Sequence, residues 1–357
     1  MKRRLTEDDV LAAVHGGAIL GGGGGGFTAD GIRAARLALS LGVPELWSAD
    51  EFAADAGTAT VALVGAPSAL EMHLSPEHLA RTIEVLRGEM SQAMRLACLH
   101  TNESGAQTTV NGWIQAAMTG LPVLDLACNG RAHPSSVMGA MGLHTDADYV
   151  SIQAYAGGAE ARYLEGLTRG RLEQTSALVR HASVLAGGGV AVARNPVSVG
   201  YAARHGAPGA ISQAIELGRL VLGSGIDAAV RHLDGRIVAE GVVQSYRCER
   251  REGLDVGVVA LDDAQGTEIP FINEYMLVEQ RGRRIAAFPE LITTLDASGA
   301  PVASADVREG ARLRVLCVPR ARLLLSRTMF MPELYQPLEA TLGRPFAPPA
   351  MSSGPTP

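Results

Sequence analysis

Between Thr60 and Gln153 short apolar runs of β type alternate with helix-forming segments, and that alternation leaves few architectures open. Thr60-Val61-Ala62-Leu63-Val64-Gly65 reads as a strand. Ser75-Pro76-Glu77 opens a helix to about Arg87, with proline in the first turn, where a missing N–H costs nothing. Met94–Leu99 reads as a second strand, Gln107–Met118 as a helix, Leu121–Asp125 as a third strand and Tyr149–Gln153 as a fourth. Each strand must bury its faces against the intervening helices, so the pattern predicts an α/β domain, three-layer-like, with a mainly parallel sheet. In such sheets ligands sit beyond the carboxyl ends of the strands.

The rest of the chain changes character twice. At the start, Thr6 to Asp9 carries a helix-capping pattern. The helix leads to Gly16-Gly17-Ala18-Ile19-Leu20 and then six glycines, Gly21–Gly26, which cannot hold regular structure cheaply. Residues 171–231 read as largely helical, broken at Gly187-Gly188-Gly189 and Pro196. From about Gly235 to 320 short β-like runs separated by turn residues predict a small antiparallel sheet or barrel. We therefore expect an N-terminal α/β domain over 1–168, a C-terminal domain over 169–345 (helical, then β-rich), and a disordered Pro/Ser/Gly tail over 346–357. A chain of 357 residues is long enough for two such units.

A net charge of -6 and scattered arginines exclude nucleic acid as the main partner. No apolar run reaches the 18 residues of a membrane span, and the basic start Met1-Lys2-Arg3-Arg4 is followed by Thr6-Glu7-Asp8-Asp9 rather than a secretory core. These features predict a cytoplasmic protein. Its four widely spaced cysteines, Cys98, Cys128, Cys248 and Cys317, would then be free thiols. A homo-oligomer is the ordinary expectation for a soluble enzyme.

Two polar clusters follow predicted strands. The first is His100-Thr101-Asn102-Glu103-Ser104-Gly105, in which Glu103 would serve as general base or metal ligand and Asn102 would orient a carbonyl. The second is Asp125-Leu126-Ala127-Cys128-Asn129-Gly130-Arg131-Ala132-His133-Pro134. Four chemistries stay open there. Cys128 and His133 would form a thiolate–imidazolium pair. Asp125, Cys128 and His133, completed by Glu103 or His144, would hold zinc. Arg131 would clamp a substrate carboxylate. Asn129-Gly130 would offer turn amides to an oxyanion. Arg194 and Asn195 follow another apolar run and would add substrate contacts. The glycine run precedes a helix, a place suited to anions. It lacks a P-loop lysine and a preceding strand, so a close-packed loop near the site is the better reading. Asn273-Glu274-Tyr275, a polar break between β runs, reads as structural.

These segments resemble one family. Gly16–Leu20 with its glycines, Thr101–Trp113, Asp125–Pro134, Met141–His144, Ala193–Ser198, Gly209–Gly218 and Asn273–Pro289 are similar to the S-methyl thiohydantoin desulfurase-like proteins, associated with hydantoinases and oxoprolinases. The resemblance covers about Thr6 to Leu338. Some relatives carry Asp-Gly-Asp-Gly-Met-Gly-Arg-Ala-Phe-Pro-Glu. Here Asp125, Gly130, Arg131, Ala132 and Pro134 keep that form, while Cys128, Asn129 and His133 replace Gly, Met and Phe. The resemblance implies an α/β domain followed by a partly β domain. It also implies a hydrolase that removes thiol or sulfide from a thiohydantoin-like ring, leaving a hydantoin. The substrate would be a small cyclic amide bearing a carboxylate. The alternative is a non-catalytic subunit or ligand-binding module working with a hydantoinase-type enzyme.

Overall fold

The computed structural model describes residues 1–65, 71–90, 94–251 and 254–347; residues 348–357 of the expected tail lie outside them. The first part of the chain runs β1 (Lys2–Arg4), α1 (Glu7–Leu20), α2 (Thr28–Leu41), β2 (Glu45–Trp47), β3 (Gly57–Gly65), α3 (Pro76–Glu89), β4 (Leu96–Glu103), α4 (Trp113–Thr119) and β5 (Val123–Asn129). It continues through β6 (Ser151–Gly157), β7 (Leu164–Gly170), α5 (Leu172–Leu185), β8 (Gly189–Ser198), α6 (Val199–His205), β9 (Ala207–Pro208), α7 (Ala210–Ser224) and α8 (Ile226–His232). The second part holds β10 (Arg236–Arg251), β11 (Leu254–Asp262), β12 (Thr267–Ile272), β13 (Glu274–Tyr275), β14 (Leu277–Gln280) and β15 (Arg283–Ala287). After these come β16 (Leu291–Leu295), β17 (Pro301–Val302), β18 (Arg312–Val318) and α9 (Gln336–Leu342).

The protein is α/β, and its first sheet has the order β1-β2-β5-β4-β3-β8-β6-β7, with the short β9 beside β5. The centre is parallel: β2 with β5, β5 with β4, and β4 with β3. The flanks are antiparallel, so the sheet is mixed. The parallel strands read clearly in sequence because burial on both faces makes them continuous apolar runs.

Strand β8 corrects the helical reading of 171–231. Its Val190, Ala191, Val192 and Ala193 are fully buried, and it pairs antiparallel with β3 on one side and β6 on the other. Valines beside a glycine break favour extended chain once a sheet edge is waiting. The first sheet thus draws β8 and β9 from beyond residue 168, across the expected domain boundary. Phe346, placed in the expected tail, is also different: it is buried against Tyr335.

The second sheet is antiparallel throughout, in the order β15-β14-β12-β11-β10-β18-β16-β17 with β13 beside β12. Helices α1 and α7 lie between the two sheets. Ile19 and Leu20 of α1 and Ala214 and Leu217 of α7 pack in one cluster with Leu291, Leu295, Leu316 and Val318 of the second sheet. The two helices touch backbone to backbone. A methyl group on Gly16 would stand 1.8 Å from the Ala214 carbonyl oxygen, and one on Gly218 would stand 1.8 Å from that of Ala12. At the start of α1, buried Asp9 accepts from the Thr6 N–H, from Arg3 at 2.8 Å and from Arg219 of α7 at 2.7 Å.

The close approach of α1 and α7 is a testable constraint. Gly16→Ala or Gly218→Ala should each destabilise the protein by about 3 kcal/mol through overpacking against backbone that cannot yield. Urea unfolding measures this, and an unchanged midpoint would show that the helices can part at little cost.

Candidate active site

Parallel strands β4 and β5 end side by side, with Glu103 opposite Asn129. Beyond their ends a cavity of about 250 Å³ opens between the two halves of the molecule. The first half supplies Asn102, Glu103 and His133 from these strand ends, and Arg194 and Arg180 from β8 and α5. The second half supplies Asn273 and Glu274.

The glycine run forms the wall between them. The Gly22 carbonyl accepts from Tyr275 N–H at 2.8 Å, the Gly23 carbonyl from Ser304 N–H at 2.9 Å, and the Gly25 carbonyl from Gln107 N–H at 2.9 Å. A Cβ at Gly24 would lie 1.9 Å from Glu274 Oε1, and Gly23 and Gly25 have left-handed φ angles of 93° and 75°. Only glycine fits such a crossing. The run is a backbone spacer that lets both halves approach the cavity.

Glu103 and His133 are in contact, with His133 Nε2 3.3 Å from Glu103 Oε2. The same Oε2 accepts the backbone N–H of His133 at 3.2 Å. His133 Nδ1 lies 2.9 Å from the Ser135 carbonyl, which can only accept, so Nδ1 carries a proton and Nε2 faces the carboxyl. Nε2 finds no hydrogen-bond partner among the described residues, although an unprotonated nitrogen beside the carboxyl favours the neutral acid. Burial pushes the Glu103 carboxyl up to about 7, against the opposing His133 amide, Arg194, Arg131 and Asn102. Burial also brings the His133 imidazole down to about 4, helped by Arg194. Asn111 Nδ2 donates to Asn102 Oδ1 at 3.0 Å, which orients the Asn102 amide N–H toward Glu103.

Two other cavity residues are buried without satisfied partners. Arg194 is 5% exposed and its Nε finds no acceptor among the described residues. Neither it nor Arg180 makes an ion pair among the described residues. Glu274 is buried with Oε2 unpartnered; burial raises its carboxyl well above the usual range, and the charge of Glu103 adds to the effect.

Several residues read as site residues lie elsewhere. Strand β5 continues past Asp125 through Asn129, so Cys128 and Asn129 are strand residues, not an exit turn. Side chains alternate along a strand, and this sends Asp125 and Cys128 to opposite faces. Asp125 accepts Ser212 N–H at 3.0 Å and Ser212 Oγ–H at 2.6 Å, capping α7. Cys128 lies among Leu124, Leu126 and Val197, 3.4 Å from the Thr60 hydroxyl, its thiol pushed up to about 11 by burial. It is no thiolate partner for His133. Asn129 donates to the Met138 carbonyl and accepts the Ser326 N–H, so it offers nothing to an oxyanion. Arg131 is fully buried outside the cavity; it donates to the Ala132, Pro289 and Glu290 carbonyls and lies 4.6 Å from the centre of the Phe288 ring. It ties the two halves together rather than clamping a ligand. Asn195 accepts from Ser151 Oγ at 2.7 Å, and half-buried His144 faces Glu333 at 4.0 Å.

The proposed zinc ligands Asp125, Cys128, His133 and His144 are therefore dispersed. Among the described residues no group of three or more His, Cys, Asp or Glu side chains is placed to hold a metal. This donor set does not fit zinc. Conversely, the sequence reading did not single out Arg180 and took Glu274 as structural. The one signal for Glu274 was its position in a polar break within an apolar β stretch.

An α/β layer and an antiparallel β layer enclosing a carboxylate–histidine–arginine cavity define a two-part protein with its site at the junction. Family models described as S-Me-THD-like, N-terminal domain, and S-Me-THD-like, C-terminal domain, match residues 8–159 and 171–330. The chain belongs to the S-methyl thiohydantoin desulfurase-like family. Among solved structures, the crystal structure of a protein from Chromobacterium violaceum has the same fold, with a TM-score of 0.71 over 96% of each chain at 21% identity. No curated protein matches the chain. No helix among the described residues is long and apolar enough to cross a membrane.

Thiol titration checks the placement of the cysteines. Cys98, Cys128 and Cys317 are buried and Cys248 is exposed, so a disulfide reagent should label Cys248 rapidly in the native protein and the others only after denaturation. Fast labelling of Cys128 would contradict its burial.

Proposed function

We propose that this protein hydrolyses the carbon–sulfur bond of a thiohydantoin-like five-membered ring, releasing a thiol or sulfide and leaving a hydantoin. The observation that carries the reading is the Glu103–His133 contact, placed in a cavity whose arginines make no ion pair among the described residues. Family membership supports the substrate class.

The ring carbon between two nitrogens and sulfur is electrophilic, and replacing sulfur by oxygen needs a base to take a proton from water. Glu103 fills that role once its proton has left. Asn102 and the backbone N–H of His133 hold the carboxylate in place. The His133 ring packs against Glu103 at 3.3 Å, which keeps the carboxyl aimed into the cavity. Arg194, with Arg180 at the rim, offers paired donors to a carboxylate on the substrate. That role was expected of Arg131, which faces carbonyls instead. Cys128 takes no part, so water attacks directly.

The pH dependence has a definite sign. Glu103 is active when ionised, and its carboxyl lies at about 7. The charged and titratable groups facing it are His133, Arg194, Arg131 and Glu274. With an S-methyl thiohydantoin as substrate, kcat/KM should rise about tenfold per pH unit below about 7 and level off above it. Glu103→Gln should lower kcat by about 100-fold or more and remove this limb. Methanethiol release followed with a thiol reagent measures both. Wild-type protein that releases no thiol alone, but does so once a hydantoinase-type partner is added, would favour the subunit reading.

Arg194→Met should raise KM for a carboxylate-bearing substrate by about 10–100-fold, the worth of a charged hydrogen bond. KM for the analogue lacking that carboxylate should barely change. Losing the cation should also move the acidic limb to higher pH, because Arg194 lowers the Glu103 pKa. Equal losses with both substrates would remove Arg194 from carboxylate binding.

A further inference from the structure

We propose that Glu274, supplied by the second half of the molecule, is the acid that protonates the departing sulfur. The assignment rests on the hydrolytic reading above and adds a second catalytic residue to it. Its basis is placement. Glu274 sits between Asn273, which has a left-handed φ of 53°, and Tyr275, whose N–H is held by the Gly22 carbonyl. Asn273 is itself fixed. Its N–H donates to the Asp255 carbonyl at 2.8 Å, its Oδ1 accepts the Asp255 N–H at 2.9 Å, and its carbonyl accepts from Ser304 Oγ. The backbone around Glu274 is thus clamped on both sides, and Gly24 has no side chain because the Glu274 carboxyl fills that space.

Such a clamp is costly for a residue with no structural task. Glu274 is 3% exposed and, among the described residues, makes no ion pair and leaves Oε2 without a partner on the cavity wall. A buried polar atom without a partner is destabilising, and a glutamine or apolar residue would serve a core better. The groups facing it are Glu103 and Arg131, with His133, Arg194, Arg180 and Asp255 also lining or flanking the cavity. Two carboxyls on opposite walls, one from each half, suit a displacement in which one proton leaves and another arrives.

The chemistry balances. Water forms a C–O bond at the ring carbon while one of its protons passes to Glu103. The electron pair of the C=N bond moves to the ring nitrogen, which takes up a proton. The C–S bond then breaks, its electron pair leaving with sulfur, and Glu274 gives its proton to that sulfur. The remaining hydroxyl proton returns through solvent to Glu274, and the proton on Glu103 balances the one gained by nitrogen. The sum is ring plus water giving hydantoin plus thiol.

The test compares two leaving groups in the full-length protein. Glu274→Gln keeps the shape and neutrality of the resting side chain but cannot give up a proton. With an S-methyl thiohydantoin, whose thiolate is a poor leaving group, kcat should fall by about 100- to 10,000-fold. With the S-(4-nitrophenyl) analogue, whose thiolate leaves unaided, the loss should stay below about fivefold. Glu103→Gln should impair both substrates. An equal loss for both substrates in Glu274→Gln, or no loss for either, would overturn the assignment while leaving the hydrolytic reading intact. A wild-type protein inert to both substrates would overturn that reading itself. If Glu274→Gln does not fold, Glu274→Ala with added formate is the substitute. Recovery confined to the S-methyl substrate supports the acid role, and its absence rejects it.

Discussion

Everything at the site depends on the contact between the Gly22 carbonyl and the Tyr275 amide. It lies where the run after the first helix meets β13 of the second sheet, and it sets how closely the two halves approach. Side chains on that run would collide with Tyr275, Glu274 or the loop after β4. The loss of chain entropy that makes consecutive glycines expensive is offset by a junction in which backbone, not side chains, meets backbone. Arg131 adds a second tie. Its Nη1 donates to carbonyls of the opposite half while Nη2 has no partner among the described residues, and its charge is felt by Glu103 and Glu274 without reaching the cavity.

Burial is the source of the chemistry. In the open, Glu103 would be ionised and His133 partly protonated; shut between two sheets, both are driven toward their neutral forms. The same shift works against stability. A carboxyl whose folded pKa is raised favours the folded state below its unfolded pKa, and that contribution is lost as pH rises through about 7. The ionisation that readies Glu103 for water is therefore the one the fold resists.

Much of this architecture was legible in the residues. The strands at Thr60–Gly65, Leu96–Leu99 and Val123–Leu124 announced themselves because parallel strands buried on both faces contain little else but apolar side chains. The antiparallel second sheet showed as short β runs between turns. Strand β8 was hidden because Arg194, Asn195 and Pro196 interrupt it, and their environment comes from strands far away in sequence. Asp125 was read as a zinc ligand for the same reason: its partner, Ser212, lies 87 residues on. Polar crowding near the strand ends drew attention to Glu103 and His133, whereas composition alone could not say that Cys128 faces a greasy interior. Glu274 was out of reach because its surroundings exist only after the halves have docked.

Strand β8 carries one further implication. It is encoded after β7 and α5, yet it fills the gap between β3 and β6 in the first sheet. A polypeptide ending near residue 170 would leave both of those neighbours with naked rows of amides and carbonyls, the kind of edge that recruits other chains. The first sheet is therefore complete only once the chain has passed α5 and laid β8 into that gap.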